Sequence, residues 1–369
     1  MRIPAELPAP LLSLAPAQEG LLSTPQCARH GVDRSRRARW LRAGRWRVVA
    51  RGVVDTVPVP PEARSVDHVP RHALPPLVVT DLDAAQRRSS RATAAVLRER
   101  SGSDLLFDHL RRRSAWAGLL AYGPEAIAVG ACALALHGVE GLPSRISPEV
   151  ALPRGSNRPD RAGIRLRQFE SGMTTVAFGD PRTGTRRIAS PEWALAQAVP
   201  ELSLENGLAV LDSSLRLEVV RPAGAARAHD LARGRRGIAL RHELWEWADP
   251  DAESWLESVG RWQCIEEGVP PDALQRPVRD GTGRLLGRGD MAWDLADGRV
   301  LVVEMDGHAW HDGEERFDRR DRDRDNAFAA AAGVDVLRFD VRHVRERLVG
   351  RQVRGFLARA APNMQFRSL

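Results

Sequence analysis

The sequence contains no lysine, so all 55 residues counted as Lys+Arg are arginine and no position can supply a catalytic lysine. Such heavy use of arginine is typical of a high-GC genome. Cysteine is scarce: Cys27, Cys132 and Cys264 are odd in number, lie far apart, form no CxxC pair and have no metal-ligand spacing. This pattern predicts small buried hydrophobic residues of a cytosolic protein and excludes a disulfide framework.

Long apolar runs are also missing from the sequence. No stretch of about 18 apolar residues occurs, so no membrane-spanning helix is predicted. The N-terminal stretch MRIPAELPAPLLSLAPA contains an acid and several prolines, which makes it a poor signal peptide. We therefore expect a cytoplasmic protein that has no membrane partner.

The balance of charge is positive. Hydrophobic residues make up 43% of the 369 residues, enough to form cores in two or three domains, and the formal net charge is +7. An excess of positive charge favours an acidic polymer as partner, with nucleic acid as the first candidate. The alternative is that the charge only reflects an arginine-rich composition, so the placement of the arginines is more informative than their number.

Changes in composition divide the chain into four parts. A proline-rich segment, TVPVPPEARSVDHVPRHALPP, and the polar stretch after it indicate a linker. No repeat with a fixed period is present. The predicted division is residues 1–57, a linker over 58–103, a central domain over 104–248 and a C-terminal domain over 249–369.

The N-terminal part has the pattern helix, tight turn, helix and basic strand. Ser23 or Thr24 caps the first helix, and Asp33 caps the second, which stops at Gly44. The segment RWRVVARGVV then alternates with the period of a strand. This outline predicts a winged helix-turn-helix.

Arginines are concentrated on and just after the second helix. Arginine side chains contact phosphates and can bind a guanine edge through two hydrogen bonds, so this helix is expected to contact DNA. The alternative is a solvated basic helix on an ordinary small domain. The expected DNA-binding residues are Arg34, Arg36, Arg37, Arg39, Arg42, Arg45 and Arg47.

The central region is less informative. Helical segments such as SPEWALAQAV and strand-like segments such as GIRLRQFE predict a mixed α+β domain. No nucleophile with a nearby base, phosphate-binding loop or metal-ligand spacing is evident. His137 lies on an apolar helix face, where a buried histidine with satisfied hydrogen bonds is favoured over a ligand or a base.

The C-terminal part has the order helix, strand, strand, strand, helix, strand. Asp290 falls on the second strand, and Glu304 ends the third, RVLVVEMD, whose apolar residues on both faces indicate a central strand. Neighbouring strands can bring the two carboxylates together, which is costly unless a cation or a proton lies between them. Because Mg²⁺ and Mn²⁺ prefer hard oxygen ligands, we expect a metal site with Asp290 and Glu304 as ligands.

Further residues extend this candidate site. Glu257, on the first helix, would add a third carboxylate or hold a metal-bound water, and Asp306 and His311 would orient or deprotonate water. His311 is alternatively the acid that protonates the leaving group. Arg322 and Arg324, on the predicted helix FDRRDRDRDNAFAAAAG that follows the third strand, would contact the scissile phosphate.

These acids also have plainer interpretations. Glu304 and Asp306 are alternatively polar residues at a strand end, with Asp306-Gly307 in a turn. His308 and His311 are three residues apart, but no two further soft ligands lie nearby, which argues against a structural zinc site. The RRDRDRD run is mostly a solvated helix face with internal ion pairs.

The order of the C-terminal motifs ESWLES, RGDMAWD, VVEMDG and DRDRDNAFAAAAGVDVLRF resembles the very-short-patch-repair-like endonuclease domain of the PD-(D/E)xK nuclease superfamily, over roughly residues 250–348. The resemblance implies a restriction-endonuclease-like α/β core and Mg²⁺-dependent cleavage of DNA. It implies Asp290 and Glu304 as metal carboxylates, Glu257 as the first-helix acid and His311 as the downstream histidine. The superfamily's lysine position, two residues after the second acid, holds Asp306; the very-short-patch-repair branch also lacks this lysine and relies on histidine.

The first 250 residues resemble an AbiEi-type antitoxin or regulator, through the basic helix-turn-helix segment and the motifs GACALALHGVEGLP, EVALPRGS and IASPEWALAQAV. This resemblance implies DNA binding through the N-terminal helix-turn-helix. Antitoxins of this type act beside a nucleotidyltransferase toxin, so a cognate toxin protein is an implied partner.

The leading hypothesis for the fold is α/β, or multi-domain α+β when the chain is taken as a whole. It comprises an N-terminal winged helix, a central mixed α+β domain and a C-terminal restriction-endonuclease-like α/β core. Its predicted function is DNA binding combined with a Mg²⁺- or Mn²⁺-dependent endonuclease. The main alternative is an antitoxin-type transcriptional regulator whose catalytically silent nuclease fold binds DNA or a partner. A third is a protein–protein interaction module in phage defence.

Overall fold

The chain combines helices with mixed and antiparallel sheets, as the predicted multi-domain α+β class requires. The computed structural model describes residues 7–56, 102–153, 158–180, 182–280, 282–306 and 333–360. Two compact units form, Met1–Ala198 with Ala226–Arg235 and Val199–Ala225 with Arg236–Leu369. The finer division at residues 57, 103 and 248 stays a prediction, and nearly all of the predicted linker lies outside the described residues. No helix in the described ranges is long and apolar enough to cross a lipid bilayer.

The first unit begins with three helices and a three-stranded antiparallel sheet. In chain order these are α1 (Ala9–Ala17), β1 (Leu21–Ser23), α2 (Thr24–Arg29), α3 (Arg34–Arg42), β2 (Arg47–Ala50) and β3 (Val53–Asp55). Strand β3 lies between β1 and β2. The predicted helices, caps and hairpin are confirmed: Ser23 forms a capping box with Gln26, and the Asp33 carboxylate accepts a hydrogen bond from the N–H of Arg36.

The sequence pattern does not indicate helix α1 or strand β1. Pro10 lies in the first turn of α1, where its missing N–H costs nothing, but a second proline, Pro16, stands near the helix end and suggests a loop. Tertiary packing stabilises these elements, because Leu11 joins a buried core with Trp40 and Trp46. Long-range packing of this kind leaves little periodic signal in a short segment.

The central elements of the chain follow in order. They are α4 (Gly102–Tyr122), β4 (Ile127–Ala128), α5 (Gly130–Leu136), β5 (Glu149–Leu152), β6 (Arg165–Gln168), β7 (Thr175–Phe178), β8 (Arg186–Ala189), α6 (Pro191–Ala198), α7 (Leu204–Arg216) and α8 (Pro222–Ala232). Strands β4 to β8 form one mixed sheet in the order β6-β5-β4-β8-β7. Helix α7 belongs to the second unit, and most of α8 belongs to the first.

His137 is a partly buried residue with a structural role, as predicted. It ends helix α5, and its ring Nε2 donates a hydrogen bond of 2.8 Å to the carbonyl of Ala189. Burial lowers the pKa of His137, so the ring is neutral at physiological pH. A neutral, hydrogen-bonded imidazole in the core fits a packing role.

Ion pairs join helix α4 to the N-terminal elements. Arg113 pairs with Asp55 of β3, and both Arg112 and His109 contact Glu19, which precedes β1. All five side chains are largely shielded from solvent, so these contacts are screened little by salt. They hold the small N-terminal sheet against the long helix that opens the central region.

The second unit contains a four-stranded sheet packed on helices. Its further elements are α9 (Leu244–Trp247), α10 (Trp255–Glu266), β9 (Ala273–Arg279), β10 (Leu285–Asp294), β11 (Val300–Asp306), β12 (Val334–Asp340), α11 (Val341–Arg345) and α12 (Val349–Ala360). The order is β12-β11-β10-β9; β11 runs parallel to β12, and the other pairs are antiparallel. The predicted first helix, the three strands after it and the last strand are confirmed, and the helix predicted before β12 lies outside the described residues.

Alternation along the strands gives the sheet two different faces. Leu301, Val303 and Met305 of β11 join a large core with residues of α10 and α12, whereas Val302 belongs to a smaller apolar cluster. Residues of even number on β11 therefore project away from the large core. Glu304 projects on the same face as Val302, next to the point where the strand ends.

Helix α10 is fixed from within the second unit by a buried ion pair. The Nη2 of Arg261 donates hydrogen bonds of 2.8 and 2.7 Å to both carboxylate oxygens of Asp212 on α7. Loss of one partner would leave a buried charge without compensation, which is strongly destabilising. Arg261 lies one helical turn after Glu257, so this pair also restrains the helix that carries the predicted third acid.

Gly350 is expected to be required for the packing of α12 on α10. A Cβ at this position would lie 2.1 Å from the carbonyl oxygen of Gln263, whereas at Gly355 of the same helix the nearest atom would be a flexible arginine nitrogen at 3.6 Å. We expect Gly350→Ala to lower the free energy of unfolding by about 2–3 kcal/mol, and Gly355→Ala to raise it by about 0.5–1 kcal/mol. Urea denaturation measures both, and equal effects would contradict this close packing.

Candidate functional site

Asp290 and Glu304 occupy neighbouring positions where the ladder between β10 and β11 ends. The antiparallel ladder between β10 and β11 ends at the pair Met291 and Val303, and the next positions along the two strands are Asp290 and Glu304. The Asp290 carboxylate reaches across to β11, where its Oδ2 accepts a hydrogen bond of 2.7 Å from the N–H of Met305. The fold therefore brings together the two strand positions from which the sequence predicts metal ligands.

Glu257 adds a buried carboxyl from the first turn of α10. Ser254 caps this helix by accepting a hydrogen bond from the Glu257 N–H, which fixes the turn. The Oε2 of Glu257 accepts hydrogen bonds of 2.8 Å from the N–H of Glu253 and 3.0 Å from the Nε2 of Gln275. Burial, and after it the negative charge of Asp290, raises the pKa of Glu257 to about 8. The acids on α10 and β10 are thus electrostatically linked.

The raised pKa of Glu257 makes the stability of the metal-free protein dependent on pH. The ordinary pKa of 4.5 applies to the unfolded chain, so between about 4.5 and about 8 the folded chain retains a proton that the unfolded chain has lost. The free energy of unfolding should therefore fall as pH rises through this window, by at most about 1.4 kcal/mol per pH unit from this group. Urea denaturation in EDTA at several pH values measures the slope, and Glu257→Gln should flatten it. An identical slope in the variant would show that Glu257 is not the group responsible.

Glu304 is paired with an arginine that the sequence interpretation did not single out. Strands β11 and β12 are parallel, and Glu304 lies directly beside Arg338 in their register. The Nη2 of Arg338 is 2.9 Å from the Oε2 of Glu304, whose side chain is only 10% exposed. The one sequence signal for Arg338 is its place inside the largely apolar strand VDVLRFD, which the sequence predicts to be buried and where an arginine would need an acidic partner. In the structure the strand is mostly half-buried and Arg338 is exposed.

Gln275 is a second residue that sequence reasoning missed. Its backbone lies in the left-handed region, with φ +49°, although it stands within strand β9. The β9–β10 register pairs Leu274 with Met291 and Arg276 with Gly289, which places Gln275 opposite Asp290. A non-glycine residue in this conformation costs on the order of 1–2 kcal/mol. Here the strained residue is the one that donates a hydrogen bond to Glu257.

The other predicted site residues are Asp306, His311, Arg322 and Arg324. Asp306 is the last residue of β11 and is exposed. His311, Arg322 and Arg324 lie outside the described residues, so their predicted roles stay predictions. Across the parts of the chain that the structure describes, no group of three or more His, Cys, Asp or Glu side chains is arranged to hold a metal ion.

Helix α3 presents several of its arginines to solvent. Arg34, Arg39 and Arg42 are exposed on the helix, and Arg45 is exposed just beyond its end. The helix itself contains no acidic residue, and the residue that caps it is Asp33. The exposed side of α3 is therefore strongly cationic.

The remaining predicted DNA-binding arginines make contacts within the protein. The Arg37 guanidinium donates a hydrogen bond of 2.9 Å to the carbonyl of Val32, and Arg36 lies 4.8 Å above the ring of Trp40. Arg47 pairs with Asp55, the buried acid that also binds α4. Arg36 and Arg37 are partly buried, so they are less available to a partner than the exposed arginines, whereas Arg47 is exposed although it pairs with Asp55.

Comparisons with known proteins give relatives but no function. No family model matches the chain. The chain is 34% identical over 153 residues to the uncharacterized proteins MT2308 and Rv2248 from two strains of Mycobacterium tuberculosis. The matched residues are 41% of this chain and 55% of each relative, so the chain spans about half the length of the curated relatives it matches.

Proposed function

We propose that the protein binds DNA through helix α3 and hydrolyses phosphodiester bonds, in a Mg²⁺-dependent reaction, at the site of Asp290 and Glu304. The observation that carries the proposal is the adjacent placement of these two acids where the β10–β11 ladder ends, with the buried carboxyl of Glu257 electrostatically linked to Asp290. A restriction-endonuclease-like core for the second unit belongs to the same proposal.

The chemistry of the acids fits a divalent cation. Carboxylate oxygens are the donors that Mg²⁺ and Mn²⁺ prefer, and Mg²⁺ is commonly held by one or two protein carboxylates with water completing its shell. The raised pKa of Glu257 reflects burial and repulsion by Asp290, and a cation beside these acids would relieve the repulsion. Asp290 and Glu304 are the proposed ligands.

The protein's own groups would organise the reaction around those ligands. When bound, Mg²⁺ supplies stabilisation of negative charge on the phosphate and lowers the pKa of an attacking water. The Met305 N–H holds the Asp290 carboxylate in place. Asp306 and His311 are proposed to orient or deprotonate water, and Arg324 to contact the scissile phosphate.

The N-terminal elements support the DNA-binding half of the proposal. Three helices and a sheet in the order β1-β3-β2 are the arrangement we interpret as a winged helix-turn-helix, with α3 as recognition helix and the β2–β3 hairpin as wing. The exposed arginines of α3 would contact phosphates and guanine edges in the major groove. The cytoplasmic location expected from the sequence goes with this proposal.

Incubation with DNA tests the proposal. Supercoiled plasmid and mismatched duplexes are mixed with the protein in Mg²⁺ and, separately, in EDTA, and the products are resolved by electrophoresis. We expect cleavage in Mg²⁺ and none in EDTA. Binding without cleavage of any substrate would reject the nuclease and leave only the DNA-binding half.

A second candidate function is an antitoxin-type transcriptional regulator whose nuclease fold is catalytically silent. The Arg338–Glu304 ion pair favours it, because the arginine already balances one proposed metal ligand, and Asp306 stands where the superfamily has lysine. In that case a cognate toxin protein would be the partner. Co-expression with candidate toxins, followed by purification, would detect a stable complex.

A further inference from the structure

We propose that Arg338 supplies to the scissile phosphate the positive charge that this lysine-free chain cannot supply from the position of Asp306. The inference rests on the proposed nuclease function. It adds to the site of Asp290 and Glu304 a residue that is not part of the PD-(D/E)xK motif. Its basis is the strand register, which places Arg338 of β12 directly beside Glu304 of β11. Asp290 of β10 is the next position beyond the β10–β11 ladder and binds the N–H of Met305 on β11.

The strand register explains why Arg338 is the suitable cation. Position 306 projects on the same face as Glu304, but it is an aspartate, and its partner on β12 is another aspartate, Asp340. The Asp340 carboxylate caps helix α11 through the N–H groups of Arg342 and His343. Neither Asp306 at the end of β11 nor Asp340 at the end of β12 can therefore provide a positive charge to a phosphate.

Arg338 combines proximity to the acid with access to solvent. Its guanidinium contacts the Glu304 carboxylate at 2.9 Å, yet 37% of its side chain is exposed, against 10% for Glu304. A guanidinium has five N–H donors in a planar fork, so it can hold a carboxylate and a phosphate oxygen at the same time. Because Glu304 already holds the guanidinium in place, Arg338 can stabilise negative charge on the phosphate without a further cost for ordering its side chain.

Arg288 provides a matched control on the neighbouring strand. It lies two residues before Asp290, pairs with Glu253 at 3.0 Å, and its side chain is 53% exposed. Replacing either arginine by glutamine removes one positive charge close to the acids. Only Arg338→Gln removes the cation that contacts Glu304.

The test compares three variants in single-turnover cleavage of plasmid DNA, together with Mn²⁺ binding followed by electron paramagnetic resonance. We expect Arg338→Gln to slow cleavage on the order of 100-fold, Arg338→Lys to recover at least about a tenth of the wild-type rate, and Arg288→Gln to change the rate by less than about threefold. Mn²⁺ affinity in Arg338→Gln should be unchanged or higher, because the substitution removes the arginine that competes with the metal ion for the Glu304 carboxylate. Thermal unfolding of each variant separates these effects from a loss of fold.

Several outcomes would overturn the assignment. Wild-type cleavage that Arg338→Gln leaves unchanged or accelerates would show that Arg338 is dispensable or inhibitory. Equal losses in Arg338→Gln and Arg288→Gln would reduce its role to general electrostatics, and a loss of Mn²⁺ affinity in Arg338→Gln would indicate a structural role. Absence of cleavage by the wild type rejects the proposed nuclease and this inference together.

Discussion

Replacing Glu304 by glutamine or Asp290 by asparagine is expected to lower Mg²⁺-dependent DNA cleavage on the order of 1000-fold, because a lost metal ligand removes several kcal/mol of transition-state stabilisation. The two acids are neighbours where the β10–β11 ladder ends, so each variant should have nearly the full effect and the double variant little more. Initial rates of plasmid nicking measure the loss.

Asp294 supplies the control for both substitutions. It lies on the same strand as Asp290, is exposed, and pairs with Arg276 at 3.0 Å. Asp294→Asn removes the same charge without touching the proposed site, so cleavage should stay within about twofold of wild type, as is usual for surface substitutions. Similar losses in Asp290→Asn and Asp294→Asn would contradict a metal site at Asp290.

The second large effect is expected on DNA binding. The double substitution Arg39→Gln, Arg42→Gln removes two exposed cations from α3 and should weaken binding on the order of 10- to 100-fold at moderate salt. Because each lost phosphate contact lowers the number of released counterions, the slope of log K against log salt should fall by about 2. Fluorescence anisotropy with a labelled duplex in EDTA measures both quantities.

A double variant on another helix separates local contact from net charge. Arg227 of α8 and Arg233, just after the end of that helix, lie in the same unit, are exposed, and pair with Glu192 and Asp230. Their replacement by glutamine changes the net charge equally but should leave affinity within about threefold of wild type, since distant surface charges are screened by salt. If both double variants weaken binding alike, α3 is only a solvated basic helix.

Sequence patterns indicate the elements of the C-terminal unit well because their signals are local. Ser254 marks the start of α10 and the turn at Gly298 separates two strands, while the branched run before Glu304 identifies a central strand. Caps, turns and periodicity depend on residues a few positions apart, so they can be read without knowing the fold. The same holds for the two helices and hairpin near the N-terminus.

Contacts that depend on strand register cannot be read in this way. Arg338 follows Glu304 by more than thirty positions, and only the parallel pairing of β11 and β12 puts the two side by side. Gln275 reaches Glu257 because its backbone adopts an unusual left-handed conformation within a strand, which no local pattern predicts. The sequence therefore indicates the acids of the site, whereas the groups that contact them emerge only from the fold.

The most direct measurement of the central claim is Mn²⁺ binding to the metal-free protein, followed by the loss of the free-ion signal in electron paramagnetic resonance. The proposal predicts that the wild type and Asp294→Asn bind Mn²⁺ alike, and that the double variant Asp290→Asn, Glu304→Gln binds at least about tenfold more weakly, since the ion's carboxylate ligands are gone. Equal binding by the wild type and the double variant, or no binding by the wild type, would contradict a metal site at these two acids.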